Sequence, residues 1–293
     1  MVKVSDHYDA VAEGYHQHYD RERLMELDVY PANYFRQKIM LATLLGRGVK
    51  RVLDVGAGDG SPMSSLIRAG VECWGLDLSE NMVAKCRERL KSLGQPEERV
   101  QWGDITDPAT YIDVMRGGTF DGLMAMGVMP HVENDVQILK NMAACLRPGG
   151  VAFIEFRNKL FSMFTLNRYT HEFIMDELLP DMESAYKEKV SKALADRLAM
   201  DQPPKRDTVE GGGPGYDTIL SKFHNPLTVG DDFAQAGFQD LSFHWYHYHP
   251  APPMLENLDP KAFRKQAMAM EQEPSGWRGM FLCSAFVVEA VRA

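Results

Sequence analysis

The chain has 293 residues, 45% hydrophobic and 25% charged, with 32 Lys and Arg against 41 Asp and Glu for a formal charge of -9. That length can bury a substantial core without disulfides or a structural metal. The acidic balance speaks against a broad basic groove for nucleic acid and against a polybasic membrane-facing surface.

Tyr8, Val11, Ala12, Tyr15 and Tyr19 recur at the spacing of one helix face and predict a first helix. Pro31 suits the first turn of a second helix, whose apolar residues from Tyr34 to Leu45 run up to Gly46 as a stop. From residue 50 to 156 short apolar strands alternate with helices. VLDV (52–55) leads into a glycine loop, and Ser61-Pro62 opens a helix ending near Gly70. A second strand ends at WGLD (74–77), with Ser79 as the cap of a helix from Glu80 to Leu93. A third ends around VQW (100–102), and FDGLMAM (120–126) is nearly all apolar, as a strand covered on both faces would be. A helix from about Asn134 to Leu146 leads through a Pro-Gly-Gly turn to a fifth strand, VAFIEF (151–156). Such alternation implies a parallel, doubly wound sheet.

After residue 157 the alternation stops. Met182, Tyr186, Val190, Leu194 and Leu198 recur every fourth residue, as in an amphipathic helix, and the Gly- and Pro-rich stretch 201–216 reads as a loop. Residues 231–237 read as helix, and LSFHWYHYH (241–249) and FLCSAFVVEAV (281–291) as two returning strands. The expected organisation is an N-terminal helical segment (1–49), an α/β core (50–157), a helical lid insert (158–228) and C-terminal strands that complete the sheet (229–293). Cys73, Cys86, Cys145 and Cys283 are scattered without a CxxC pair, as in a reduced protein. No apolar run reaches the roughly 18 residues of a membrane helix, and the N-terminus has no apolar signal core. The expectation is a soluble cytoplasmic protein whose partner is a small molecule, not nucleic acid or membrane.

The most specific motif is VLDVGAGDG (52–60). Gly56, Gly58 and Gly60 follow a strand and precede a helix, where backbone can approach a ligand closely. Dinucleotide enzymes use a related fingerprint, but Asp54 inside the strand and the Asp59-Gly60 continuation depart from their spacing. Asp77 ends the second strand, where a carboxylate can bridge two ribose hydroxyls. Asp104, just beyond the third strand, is placed to accept from an adenine amino group. Three strand ends in order, each with an acid in or just beyond the strand, point to a nucleoside site.

VLDVGAGDG, WGLDLS (74–79), WGDITD (102–107), FDGLMAMGVMPHV (120–132) and LRPGGVAFIEF (146–156) together resemble the class I S-adenosylmethionine-dependent methyltransferases. The resemblance covers about 50–157 closely and the last two strands loosely. It implies a seven-stranded Rossmann-like sheet with an antiparallel last strand, and S-adenosylmethionine as cofactor. It also implies that Gly56 and Gly58 approach the methionine part, that Asp77 holds the ribose, and that Leu78 packs on adenine with Asp104 and Ile105 at its rim. Met126 and Gly127 would lie beside the sulfonium, and Ala57 and Met82 complete the expected cofactor set. The N-terminal YDAVAEGYHQHY (8–19) looks like the first helix of small-molecule members, so Tyr8, Tyr15 and Tyr19 either close over the cofactor or pack that helix.

The implied reaction is methyl transfer to a hydroxyl or amine of a small polar molecule. A long lid with Tyr-, His- and Trp-rich flanks suits a sugar or nucleotide-sugar. A hydroxyl acceptor needs a base. His131, at the carboxyl edge of the sheet with an ordinary pKa near 6.5, leads; a loop-positioning role is its alternative. His224 in SKFHNPLT (221–228) is the second candidate. Glu155 and Arg157 either face the substrate or pair with each other. In FHWYHYHP (243–250) the strand period puts His247 and His249 on one face and His244 on the other, which favours packing over a metal site. A nucleic-acid substrate is disfavoured by the charge and by the lack of an (Asn/Asp)-Pro-Pro-(Phe/Tyr) tetrapeptide. A cofactor-binding subunit without catalysis is the rival that keeps the same fold.

Overall fold

In a computed structural model, which describes residues 3–13, 15, 19, 30–198, 206–209 and 212–293, the α/β region supplies β1 (Arg51–Val55), β2 (Glu72–Asp77), β3 (Val100–Trp102), β4 (Phe120–Ala125) and β5 (Leu146–Arg157). Two later strands, β6 (Phe238–Tyr248) and β7 (Cys283–Arg292), complete a seven-stranded sheet of order β3-β2-β1-β4-β5-β7-β6. The first five pair in parallel, while β7 runs antiparallel between β5 and β6. The strand order turns back between β1 and β4, which pair at Val52–Gly122. A doubly wound sheet opens a ligand crevice at the carboxyl ends of the strands where this happens.

Several helices start on side-chain caps. After β2, Ser79 accepts from Met82 N at 3.1 Å and opens α4 (Glu80–Ser92). Asn134 accepts from Gln137 N at 3.0 Å before α6 (Asp135–Cys145). Asp107 and Asp259, each followed by Pro, do the same for α5 (Pro108–Val114) and α11 (Pro260–Met270). The helix after the glycine loop, α3 (Ser61–Arg68), begins one residue earlier than expected. Gly60 at φ 76° takes the cap position, and Ser61 is already helical. The core is covered on both faces of the sheet: Leu53, Leu123, Met124, Phe153, Ile154, Phe156 and Phe286 are fully buried.

The N-terminal segment differs from expectation. Helix α1 (Val4–Val11) ends at Ala12, so Tyr15 and Tyr19 lie beyond it rather than on its face, and residues 14 and 16–18 of the proposed period lie outside the described residues. Helix α2 (Ala32–Gly46) follows Pro31. The insert holds α7 (Ser162–Thr165), α8 (Arg168–Glu172), a π-helical turn (Phe173–Leu178) and α9 (Ser184–Leu198). Helix α9 starts after Met182 and buries no residue fully, so its four-residue stripe only half-covers itself while Tyr186 is exposed. In the loop read at 201–216, residues 201–205 and 210–211 lie outside the described residues. The remainder folds back through a Thr208–Pro214 bridge. After it, α10 (Val229–Gln235) leads into β6, and α11 and α12 (Gly279–Leu282) fill the connection to β7. No described helix is long and apolar enough to cross a membrane.

Candidate active site

The glycine loop is folded by the end of β2. Gly56 and Ala57 N–H groups donate to Leu76 O at 2.8 and 2.9 Å. Gly56 sits at φ 78°, and a Cβ there would run into Val128 Cγ2, so the position accepts only glycine. Asp77 ties the loop down: Oδ2 accepts from Gly58 N at 2.8 Å and Oδ1 from Ser79 N at 2.9 Å. Each carboxylate oxygen keeps a further lone pair. Burial pushes the Asp77 carboxyl up, Asp9 adds to this, and the N–H donors pull it back.

A cavity opens above this loop along the carboxyl ends of β1 to β4. Gly56, Gly58, Asp77, Leu78, Met82 and Met126 line it, with Asp104 and Ile105 at the next strand end. Gly127 and His131 line it from the loop after β4, and Tyr8 and Tyr15 cover it from the N-terminal segment. Val4, Ser5, Ser79, Thr106, Val128 and Val132 also line it; their residue types carry no signal in the sequence. Asp104 Oδ1 accepts from Thr106 N at 2.9 Å and from its hydroxyl at 2.7 Å.

Three expected site residues stand elsewhere. Ala57 is buried and turns its Cβ down toward Gly75 of β2, where only a glycine leaves room for it. Tyr19 does not line the cavity; its hydroxyl accepts from Arg36 Nη2 at 2.8 Å, and its ring lies 6.3 Å from Tyr15. His224 is buried behind the site, edge-on to Phe156 at 4.8 Å with Nε2 3.3 Å from Asp135 Oδ2. Its backbone continues the edge of the sheet, with N donating to Arg157 O at 2.7 Å, and this anchors the insert to β5.

His131 faces the cavity in a defined tautomer. Nδ1 is 2.7 Å from the Leu220 carbonyl, which can only accept, so the proton belongs on Nδ1. Nε2 then presents a lone pair and accepts from the Tyr8 hydroxyl at 3.1 Å. Burial lowers the His131 pKa to about 4, with Arg157 adding to the effect and the Leu220 carbonyl opposing it.

Glu155 and Arg157 do not pair with each other. Glu155 holds the buried Arg36 of α2 and accepts from Tyr246 of β6. Arg157 stacks on Tyr216, with Cζ 4.3 Å from the ring centre, and donates to Ser221 Oγ at 2.7 Å. Tyr216 in turn meets His131 edge-on at 5.5 Å. Asp54 was visible in the motif as a strand residue, but its state was not. Both its oxygens are buried without a hydrogen-bond partner among the described residues, and burial beside Asp77 pushes its pKa well up. Of the three histidines, His244 bonds Glu289 at 2.9 Å, while His247, at φ 62° where the strand alternation breaks, and His249, just beyond β6, lie with ring centres 4.8 Å apart.

Residues 52–150 match the model of a methyltransferase domain. Curated relatives include the ubiquinone biosynthesis O-methyltransferases of Xanthomonas axonopodis pv. citri, 33% identical over 144 residues (49% of this chain, 57% of that protein), and Xanthomonas euvesicatoria pv. vesicatoria, 32% over 154 residues (52% and 62%). The chain thus spans little more than half the length of these relatives. Among solved structures, it aligns over 99% of its length with 98% of magnesium protoporphyrin IX methyltransferase from Synechocystis PCC 6803, at a TM-score of 0.54 and 14% identity. An S-adenosylmethionine-dependent methyltransferase from Clostridium acetobutylicum aligns over 98% of this chain and 99% of its own, at 0.55 and 11%. At those identities the structures speak for the fold alone. With its seven strands in the order β3-β2-β1-β4-β5-β7-β6, the chain has the fold of the class I S-adenosylmethionine-dependent methyltransferases, and its residues 52–150 match a methyltransferase domain.

Proposed function

We propose that the protein transfers a methyl group from S-adenosylmethionine to a hydroxyl of a small polar molecule, with His131 as the base. The observation that carries this reading is the Tyr8 hydroxyl donating to His131 Nε2. It marks a lone pair, in a fixed tautomer and lining the same cavity as Met126 and Gly127, already engaged with an O–H donor. An acceptor hydroxyl replacing that of Tyr8 at Nε2 would be held and deprotonated there. Relatives named as O-methyltransferases support a hydroxyl over an amine. Sugars and nucleotide-sugars, with hydroxyls to offer and faces that stack on rings such as Tyr216, are acceptors of the proposed kind.

The donor set fits the cofactor. Gly56 and Gly58 leave the loop bare for the methionine part, Asp77 can accept from the ribose, and Leu78, Asp104 and Ile105 bound the adenine end. Asp54, a buried carboxyl without a hydrogen-bond partner among the described residues, suits a cationic amino group, since ionising it unpaired there is costly. When bound, the cofactor supplies a methyl group on a sulfonium that is an excellent leaving group. The protein's share is therefore to aim the acceptor, exclude water and take one proton. Tyr8 and Tyr15 exclude water from above. Leu220, on the insert, holds the His131 ring and its tautomer.

Incubation with methyl-labelled cofactor and matched panels of hydroxy compounds and their amino analogues tests this. Label on oxygen supports it; transfer confined to amines, or cofactor binding with no transfer to any acceptor, overturns it. Turnover is also expected to survive exhaustive EDTA treatment, because His244 is committed to Glu289 and His247 Nδ1 to the Ser284 hydroxyl. Loss of rate that added magnesium or zinc restores would refute that expectation.

A further inference from the structure

We infer that the acceptor carries an anionic group, a carboxylate or phosphate, seated on Arg157 and Arg168 in a cleft beside His131; this deepens the proposed function and rests on it. Arg157 ends β5, at the same carboxyl edge as His131. Its guanidinium is half-buried between Tyr216 and Phe223, at 4.3 and 5.6 Å from the ring centres. Of five N–H donors, it uses one, to Ser221 Oγ, and it forms no ion pair with a described carboxylate. A cation taken partly out of water without a counter-ion is costly, and the planar fork it presents matches carboxylate and phosphate oxygens.

The cleft beyond it is lined by Arg157, Arg168 and Arg206 together with Glu172, Asp207 and Asp217. The acids offset Arg168 and Arg206 in part and leave Arg157 without a direct ion pair. Asp217 is committed to Arg206, with Oδ1 3.1 Å from Nη2 and Oδ2 accepting from Arg206 N at 2.8 Å. Glu172 and Asp207 are exposed at the rim, where water and salt screen them. Arg168, half-buried, touches the Tyr169 hydroxyl at 3.0 Å and pairs with no described carboxylate. The inner wall thus holds two guanidinium groups without a direct ion pair to a described carboxylate, Arg157 alone and Arg168 within the electrostatic reach of Glu172 and Asp217. Tyr216 joins it to the reaction centre, with Arg157 on its face and the His131 ring 5.5 Å from its centre. The two cavities share no lining residue, so an acceptor with its anion on Arg157 and its hydroxyl at His131 Nε2 would have to span Tyr216.

The test uses the full chain saturated with S-adenosylhomocysteine, titrated calorimetrically with benzoate, phenyl phosphate and the neutral analogue benzamide. At least one anion should bind roughly tenfold or more tighter than benzamide, the scale of a charge-assisted bidentate contact. The benzoate and phenyl phosphate arms tell a carboxylate seat from a phosphate seat. The advantage should vanish in Arg157→Gln, survive in part in Arg157→Lys, and shrink as salt is raised on the wild-type protein. Equal binding of benzamide, no binding of either anion at millimolar concentration, or an anion preference that Arg157→Gln leaves intact would overturn the inference. Should Arg157→Gln not fold, an anion preference insensitive to salt in the wild type overturns it equally. Failure to bind S-adenosylhomocysteine at all would instead remove the proposed function beneath it.

Discussion

Asp77→Asn is expected to weaken S-adenosylmethionine binding by about 1.5–3 kcal/mol, or roughly 10- to 100-fold, the scale of charge-assisted hydrogen bonds to ribose hydroxyls. Asparagine keeps the shape of the side chain but removes the charge. It also sets an NH2 group against one of the two backbone donors, Gly58 N or Ser79 N, that the carboxylate now satisfies. The loss therefore combines a weaker ribose contact with a loosened glycine loop. Asp77→Ala, which frees both donors, should be worse and should also lower the melting temperature without ligand. The wild-type affinity should carry a pH signature. Burial raises the Asp77 pKa, and the acceptor form is the ionised one, so affinity should hold above the raised pKa and fall as pH drops through it. Calorimetry on the folded Asp77→Asn protein that gives wild-type affinity would remove Asp77 from the site.

How much of this was legible in the sequence depends on how local each signal is. The strands from β1 to β5 declare themselves by short apolar runs and caps, because a parallel strand is buried on both faces and leaves no doubt about its hydrophobicity. The cavity floor was legible for the same reason: Gly56, Asp77 and Asp104 each stand at a strand end, and the topology gathers strand ends. Helices α5 and α11 carried a readable signal that the sequence reading passed over. Asp107-Pro108 and Asp259-Pro260 are cap-and-first-turn pairs, and the side chains accept from Ala109 N and Ala262 N at 2.9 and 3.0 Å. Long-range pairing was not legible. Nothing near Glu155 announces that its partner is Arg36, 119 residues away, rather than Arg157 two residues along the same strand. The helical period through Tyr8, Tyr15 and Tyr19 fails because α1 ends at Val11, and tertiary contacts alone decide which tyrosine lines the cavity. Those contacts put Tyr8 on His131, Tyr15 over Gly58 and Tyr19 on Arg36.

His131→Ala should lower turnover by roughly 100-fold or more while leaving cofactor affinity near wild type, as expected for loss of a positioned base. The structure changes the pH at which that base should show itself. An imidazole at its ordinary pKa would give a rate rising near pH 6.5, but burial and Arg157 hold His131 down to about 4. Its proton-accepting form is the neutral one, so the wild-type rate should be level through neutral pH and fall only as pH drops toward about 4. That limb should be absent in His131→Ala. An anion on Arg157 would offset one of the influences that depress His131, beside burial and His7, and move the limb upward when the acceptor is bound, so profiles of kcat and kcat/KM should differ in that direction. His224 supplies the control. It is buried against Phe156, close to Asp135 and outside the cavity, so His224→Ala should cost stability and leave turnover per folded molecule within a few-fold of wild type. A comparable loss in His224→Ala, measured on folded protein, would mean that the insert swings its histidine into the site and that the base has been misassigned. A small effect in both variants would exclude histidine as the base, leaving transfer to rest on aim and desolvation alone.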